Sequence, residues 1–293
     1  MICLKLIYRM TNFHFCKVIF ACFLCVAGRG ALWAQSVDPN AYYPGRQISD
    51  WSVANAHSHN DYQQAKPFSL AYGANFGSME ADIFLVNDSL FVGHVRGDIA
   101  RHRMLTSLYL DSVAFYLELN KGYPYANKRL RLQLLIDQKT EGELTLEALI
   151  RLLNAYPSII HCKQLSVVIT GNRPPVNKWR NFPAYIFFDG NFNEKYSEDL
   201  MPKIALFSAD LGDLTKWNGH ERINPPDSLI LAQKIQIAHD LGKKVRFWNA
   251  PDFPNAWAQL IEAGVDWINT DHILELSSYF AQRGKYPTNK LPK

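Results

Sequence analysis

Past residue 34 this chain holds a single cysteine, Cys162; Cys3, Cys16, Cys22 and Cys25 all precede that point. A disulfide framework is excluded for residues 35–293, so the core alone must hold them together. Net charge is missing there too. Lys5, Arg9, Lys17 and Arg29 account for the whole formal +4. Residues 35–293 are therefore formally neutral and offer no basic surface of the kind nucleic acid requires. Glycine-rich phosphate loops of the dinucleotide or P-loop type are absent, which weighs against an open doubly wound sheet. There is no internal repeat and no low-complexity segment. The apolar run at 18–27 is too short to span a bilayer. It comes after Lys5, Arg9 and Lys17 and precedes Ala31-Leu32-Trp33-Ala34, a small-x-small pattern. The expected reading is a signal peptide over 1–34 and a periplasmic or secreted protein.

About 250 residues remain, the size of one α/β barrel. A lead-in at 35–50 precedes short apolar runs that alternate with helical patterns. Strands are expected at 53–57, 78–86, 90–93, 132–136, 165–170, 184–188, 204–207, 244–248 and 266–269, with Asn87-Asp88 as a hairpin turn. Helical spacing marks 67–72, 105–120, 144–155, 226–241 and 255–263. Strands alternating with helices imply a parallel sheet with right-handed crossovers. The expected architecture is α/β, a single (β/α)8 TIM barrel over 51–280 with a tail at 281–293.

Barrel chemistry gathers at the C-terminal ends of the strands. His57 ends the first expected strand. Glu80 and Asp82, two apart on the second, share one face. His94 ends the return after Asn87-Asp88, Asp137 and Lys139 lie at the end of the third parallel strand, Trp248 ends the seventh, and Asp271 comes after the last. Glu80, Asp82 and Asp137 can form a carboxylate site for one hard divalent cation, Mg2+ or Ca2+, since zinc more often recruits histidine or thiolate. His57 and His94 can then serve as general base and general acid, with Lys139 holding a phosphate oxygen. His59 lies between a supporting role and plain surface, and Asp61 between a helix cap and a ligand. Arg173 is a further candidate phosphate contact, on a loop.

Ala56-His57, then Gly73-Ala74-Asn75 leading into Glu80-Ala81-Asp82-Ile83, then Gly93-His94 resemble the N-terminal half of the glycerophosphodiester phosphodiesterase and phosphatidylinositol phospholipase C-like superfamily. Leu135-Ile136-Asp137-Gln138-Lys139-Thr140 resembles the third-strand motif of its sphingomyelinase D branch, and 264–271 is similar to its last strand. His57-Ser58-His59-Asn60-Asp61-Tyr62 most resembles the subgroup that includes altered inheritance of mitochondria protein 6. The resemblance covers roughly 53–275 and implies a metal-dependent phosphodiesterase on a TIM barrel. Its substrate is a small-molecule or lipid diester, with peripheral membrane contact an accompanying expectation. The resemblance makes His57 and His94 the acid–base pair, Glu80, Asp82 and Asp137 the metal ligands, and Lys139 and Trp248 substrate contacts. The chain departs from the glycerophosphodiesterase pattern where Ser58-His59 replaces Arg-Gly and no Glu-Asn comes next. Substrate preference is therefore expected at His59, Asn60 and Asp61. Two other readings remain open at this point. One is an amidohydrolase-like metal hydrolase, prompted by His57-x-His59. The other is a barrel that binds without catalysing.

Overall fold

The computed structural model describes residues 51–283. The expected signal peptide, the lead-in at 35–50 and the tail beyond residue 283 lie outside the described residues.

The strands are β1 (Ala56–Ser58), β2 (Ser78–Val86), β3 (Ser89–Val92), β4 (Leu132–Gln138), β5 (Leu165–Gly171), β6 (Ile186–Asn191), β7 (Ile204–Asp210), β8 (Lys244–Trp248) and β9 (Ile268–Thr270). Apart from β3 they form one parallel sheet in the order β8-β7-β6-β5-β4-β2-β1-β9. A lone parallel bridge from Arg246 to Trp267 brings its two edges together, giving a nearly closed eight-stranded barrel. β3 instead returns antiparallel along β2. Asn87 and Asp88 turn the chain there with φ of 47° and 59°, the left-handed pair that a two-residue hairpin needs.

The helices are α1 (Ser69–Gly73), α2 (Asp111–Leu119), α3 (Gly142–Leu153), α4 (Pro157–Ile160), α5 (Leu211–Leu214), α6 (Pro225–Asp240), α7 (Pro254–Ala263) and α8 (Ile273–Arg283). α3 shows how sequence sets one. Glu141 caps it by accepting from the Glu143 and Leu144 amides. Leu146, Leu149 and Leu153, three and four apart, form its buried face. None of the described helices is long and apolar enough to cross a membrane.

The helical coat differs from expectation in three places. A π-helical turn, Thr106–Leu110, leads into α2, so the periodic stretch at 105–120 is not one regular helix. α8, which sequence periodicity did not mark, packs Ile273, Leu276 and Phe280 inward. The β5–β6 and β6–β7 links carry only 3-10 turns, Val176–Asn181 and Glu198–Lys203. Pro174 and Pro175 before the first, and Pro202 within the second, remove the amide donors a longer helix would need.

The first strand also starts later than expected. Ser52 caps a 3-10 turn, Val53–Asn55, and Asn55 ties it to the Asp266 carbonyl. β1 is thereby displaced toward Ser58, which changes the depth of both of its histidines.

The barrel interior is layered. Leu135, Val168, Leu206 and Trp267 form an apolar plug. Two residues further along three of the same strands, on the same inward face, stand Asp137, Thr170 and Ser208. The plug keeps water from below and gives the polar groups above it a poorly hydrated floor.

Candidate active site

A cavity of about 420 Å³ opens at the C-terminal ends of the strands. Of the expected site residues, His59, Glu80, His94, Asp137, Lys139 and Trp248 line it, while His57 and Asp61 do not. Asp82 lies just beneath, at 0% exposure.

The three carboxylates meet. Parallel pairing sets Asp82 beside Asp137, and Glu80 shares the inward face of β2 with Asp82. One oxygen from each of Glu80, Asp82 and Asp137 lies within 4.8 Å of the others. Lys139 Nζ donates to Asp137 Oδ2 at 2.8 Å and lies 2.9 Å from Asp82 Oδ2. The other oxygens, Asp82 Oδ1 and Asp137 Oδ1, are buried without a hydrogen-bond partner. Gly171 helps keep that space open. It sits at φ +70°, and a Cβ there would come within 2.0 Å of Asp137 Oδ1. Vacant lone pairs, an all-oxygen donor set and this glycine fit a hard divalent cation. The charges agree: with Asp189 and Glu194, five carboxylates face Arg246, Lys139 and Arg173, a shortfall of two positive charges. Burial and the neighbouring Glu80 and Asp137 push Asp82 up to about 6, despite Lys139. Burial alone would raise Glu80, but Arg246 and His57 outweigh it and hold its carboxyl well below the usual range. Burial also opposes the charged form of Lys139, yet Asp137 and Asp82 hold its pKa above the ordinary value.

Arg246 is the residue that strand-end reasoning missed. It lies two positions before Trp248 on β8 and therefore faces inward, buried to 3% exposure. Its Nη1 donates to Glu80 Oε2 at 3.2 Å and to His57 Nε2 at 2.9 Å, and its Nε donates to Ser208 Oγ at 3.2 Å. The strict alternation of Lys244-Val245-Arg246-Phe247-Trp248 carried the signal, because a cation on an inward strand position demands a buried anion.

The structure places His57 outside the cavity lining. The ring is at 0% exposure, with Nδ1 2.7 Å from Ser78 Oγ and Nε2 between Arg246 and Glu80. Nε2 is within hydrogen-bond distance of both the Arg246 guanidinium, which only donates, and the Glu80 carboxylate, which only accepts, so the tautomer decides which of the two it bonds. Burial and then Arg246 lower its pKa to about 4. His57 is thus a neutral, sealed member of the cavity floor that holds Glu80 in place.

His59 is the histidine next to β1 that reaches the cavity. Its amide donates to the Thr270 carbonyl, its Nδ1 pairs with Asp271 Oδ1 at 2.9 Å, and its Nε2 lies 3.3 Å from Asn60 Nδ2. Burial alone would lower its pKa, but Asp271 and Glu80 outweigh it and hold the pKa above the ordinary value. His94, with its side chain 53% exposed, lies after β3 in a loop that Asp98 fixes by accepting from the His94 and Val95 amides. Its Nδ1 lies 3.1 Å from Tyr62 Oη and 3.4 Å from Asp82 Oδ2. Tyr62, buried to 1%, also reaches Asn60 Oδ1 at 2.6 Å and Asp82 Oδ2 at 2.8 Å. One phenol therefore connects the loop after β1, the metal-side carboxylate and His94. Sequence reasoning gave Tyr62 no role.

Asp61, expected as a substrate contact, is a loop anchor. Its carboxylate accepts from Ser58 Oγ at 2.7 Å, the Phe68 amide at 2.6 Å and Tyr109 Oη at 2.8 Å. Burial still pushes its pKa up. Arg173 lines the cavity but is engaged by Glu194 at 3.2 Å and by the Asp189 carbonyl.

Residues 46–189 match the AIM6-like phosphodiesterase domain, and residues 244–273 match the glycerophosphoryl diester phosphodiesterase family. An altered inheritance of mitochondria protein 6 homolog from Arthroderma benhamiae is 27% identical over 76% of this chain and 83% of its own length. Altered inheritance of mitochondria protein 6 from Eremothecium gossypii is 26% identical over 84% and 75% respectively. A glycerophosphodiester phosphodiesterase crystal structure from Parabacteroides distasonis aligns at a TM-score of 0.49 and 16% identity, covering 78% of this chain and 97% of that one.

Proposed function

The chain belongs to the glycerophosphodiester phosphodiesterase-like superfamily and resembles altered inheritance of mitochondria protein 6, and from that premise we propose that it is a metal-dependent phosphoric diester hydrolase using His59 and His94 as its acid–base pair. The observation that carries the reading is the cavity wall itself. Two histidines, each with Nδ1 engaged by a carboxylate or phenol, open onto the same space as Glu80, Asp137 and Lys139.

Glu80, Asp82 and Asp137 would hold one Mg2+ or Ca2+. When bound, such an ion supplies Lewis-acid polarisation of a phosphoryl oxygen and offsets developing negative charge. Lys139 places a positive charge beside the same anion. His59, held toward its protonated form by Asp271, gives its proton to the departing alkoxide. His94, whose Nδ1 faces Tyr62 and Asp82, takes a proton at Nε2 from the attacking water or from a neighbouring hydroxyl of the substrate. Attack by that hydroxyl yields a cyclic phosphate, and attack by water an open monoester. The substrate is a phospholipid-derived or similar diester, met outside the cytoplasm if the N-terminal segment directs export.

The test is turnover of bis-p-nitrophenyl phosphate and of an unactivated alkyl diester, with Mg2+ or Ca2+ and with chelator. His94→Ala should slow both by about 10²–10⁴-fold. His59→Ala should cost that much only on the alkyl diester, because p-nitrophenolate leaves without a proton. No metal-dependent turnover of either diester overturns the reading. A His57→Gln loss larger than that of His59→Ala would return the catalytic role to His57. Phosphorus NMR of the products separates cyclic from open monoester.

A further inference from the structure

Tyr62 sits on the 3-10 turn Asp61–Gln63 and is held from both sides. The Arg103 guanidinium donates to its carbonyl, and the neighbouring Asp61 carboxylate is anchored by Ser58, the Phe68 amide and Tyr109. The residue is buried to 1% exposure, so its hydroxyl has a fixed place. The His94 ring is the opposite case. Its side chain is 53% exposed, and Asp98 secures only the backbone of its loop. What Nδ1 of that ring meets therefore decides how the imidazole stands.

The protons can be counted there. A phenol has one to give. Two oxygens that only accept compete for it, Asn60 Oδ1 at 2.6 Å and Asp82 Oδ2 at 2.8 Å. Whichever takes it, no phenolic proton is left for His94 Nδ1 at 3.1 Å. That nitrogen also lies 3.4 Å from Asp82 Oδ2, again an acceptor. Lone pairs facing one another at such distances repel, so Nδ1 brings the hydrogen and donates it to Tyr62 Oη. A free imidazole prefers the other tautomer, with its hydrogen on Nε2. In this setting the Nε2 lone pair stays open, on a ring that lines the cavity.

We propose that Tyr62 is a positioning residue, whose phenol, shared with Asp82, holds neutral His94 in the Nδ1–H tautomer and leaves Nε2 as the base. This rests on the hydrolase reading above for what that base does. Tyr62 acts through His94 and touches no reacting atom.

Isotopic nitrogen labelling of the histidines in the full chain tests it without requiring turnover. Long-range proton–nitrogen NMR spectra in chelator, at about pH 8 and so well above the pKa of free histidine, distinguish the two neutral tautomers. The signal missing from His94→Ala is that of His94. The unaltered chain should show Nδ1–H, and Tyr62→Phe should revert toward Nε2–H. In Mg2+ the same variant should lower kcat on the alkyl diester about 10- to 100-fold with KM little changed, as loss of a ligand's outer partner does. Nε2–H in the unaltered chain overturns the proposal. So does an Nδ1–H form that persists in Tyr62→Phe, even where kcat falls, because Tyr62 would then be structural only. If Tyr62→Phe fails to fold, the unaltered chain's tautomer decides alone. The expected tautomers with no diester turnover would overturn the hydrolase reading and leave the positioning of His94 standing.

Discussion

His57 and His59 stand two residues apart at one short strand and face the same way, yet they belong to different regions of the molecule. His57 lies in a buried layer with Glu80, Arg246 and Asp189, which form the cavity's floor and where each charge has a buried partner of opposite sign. His59 lies on the rim with Lys139 and His94, where side chains are partly exposed. Alternation along a strand says which face a side chain takes, whereas depth along the barrel axis decides whether it supports or reacts. The lower layer fixes positions at the expense of accessibility, and the rim does the reverse.

That contrast is breakable. The largest expected effect is at the rim: His94→Ala should lower kcat by about 10²–10⁴-fold while leaving the melting temperature almost unchanged, because the ring is half in solvent. Steady-state kinetics and thermal melts on one preparation would check both halves. The mirror experiment is Arg246→Met. It leaves Glu80 and Asp189 without their buried cation and should cost about 3–5 kcal/mol of stability, read by urea unfolding. If Arg246→Met is as stable as the unaltered chain, the lower layer is not the scaffold described.

Smaller is the pH response of metal-free protein in chelator. His57 binds its proton near 4 when folded but near 6.5 when unfolded. Between those values the unfolded chain takes up a proton that the folded one refuses, so the stability His57 contributes is complete above 6.5 and lost as pH falls toward 4. The size is about 3 kcal/mol. Asp82 acts with opposite sign, since its folded pKa near 6 exceeds the unfolded value of 3.8 and stability from it falls as pH rises across that window. Melts between pH 4 and 7 should therefore show a shallow net slope. Asp82→Asn should steepen the acid loss, and His57→Gln should reverse its direction. The smallest effect is Tyr109→Phe, which removes one of three donors to Asp61 and should cost about 1 kcal/mol with kcat unaltered.

Much of the molecule is legible in its sequence. The strand–helix alternation implies the barrel, and Glu80, Asp82 and Asp137 meet as their strand positions require, because parallel pairing of β2 with β4 puts residues of like parity side by side. Lys139, His94 and Trp248 fall at the rim for the same reason. Depth is hidden. The turn at Val53–Asn55 depends on Ser52 and on Asn55 reaching a carbonyl 211 residues away, and no local pattern reports such a bond. Placing the strand's end at His57 instead of Ser58 is enough to mistake which of the two histidines lines the cavity. Arg246 escapes a search confined to strand ends, although it lies only two residues inside its strand. Tyr62 is beyond reach, since its significance lies in meeting Asp82 and His94 across the loop after β1.

The pairing of Arg246 with Glu80 spans 166 residues, and the same arginine makes the bridge that closes the barrel. Most of the catalytic groups are synthesised in the first half of the chain, but their neutralising cation arrives with β8. Before β8 docks, Glu80, Asp82 and Asp137 have only Lys139 to offset their negative charge. Native packing of that half is held back until the C-terminal segment docks. Ring closure and assembly of a working centre are then a single late event, and a chain cut short before β8 has neither.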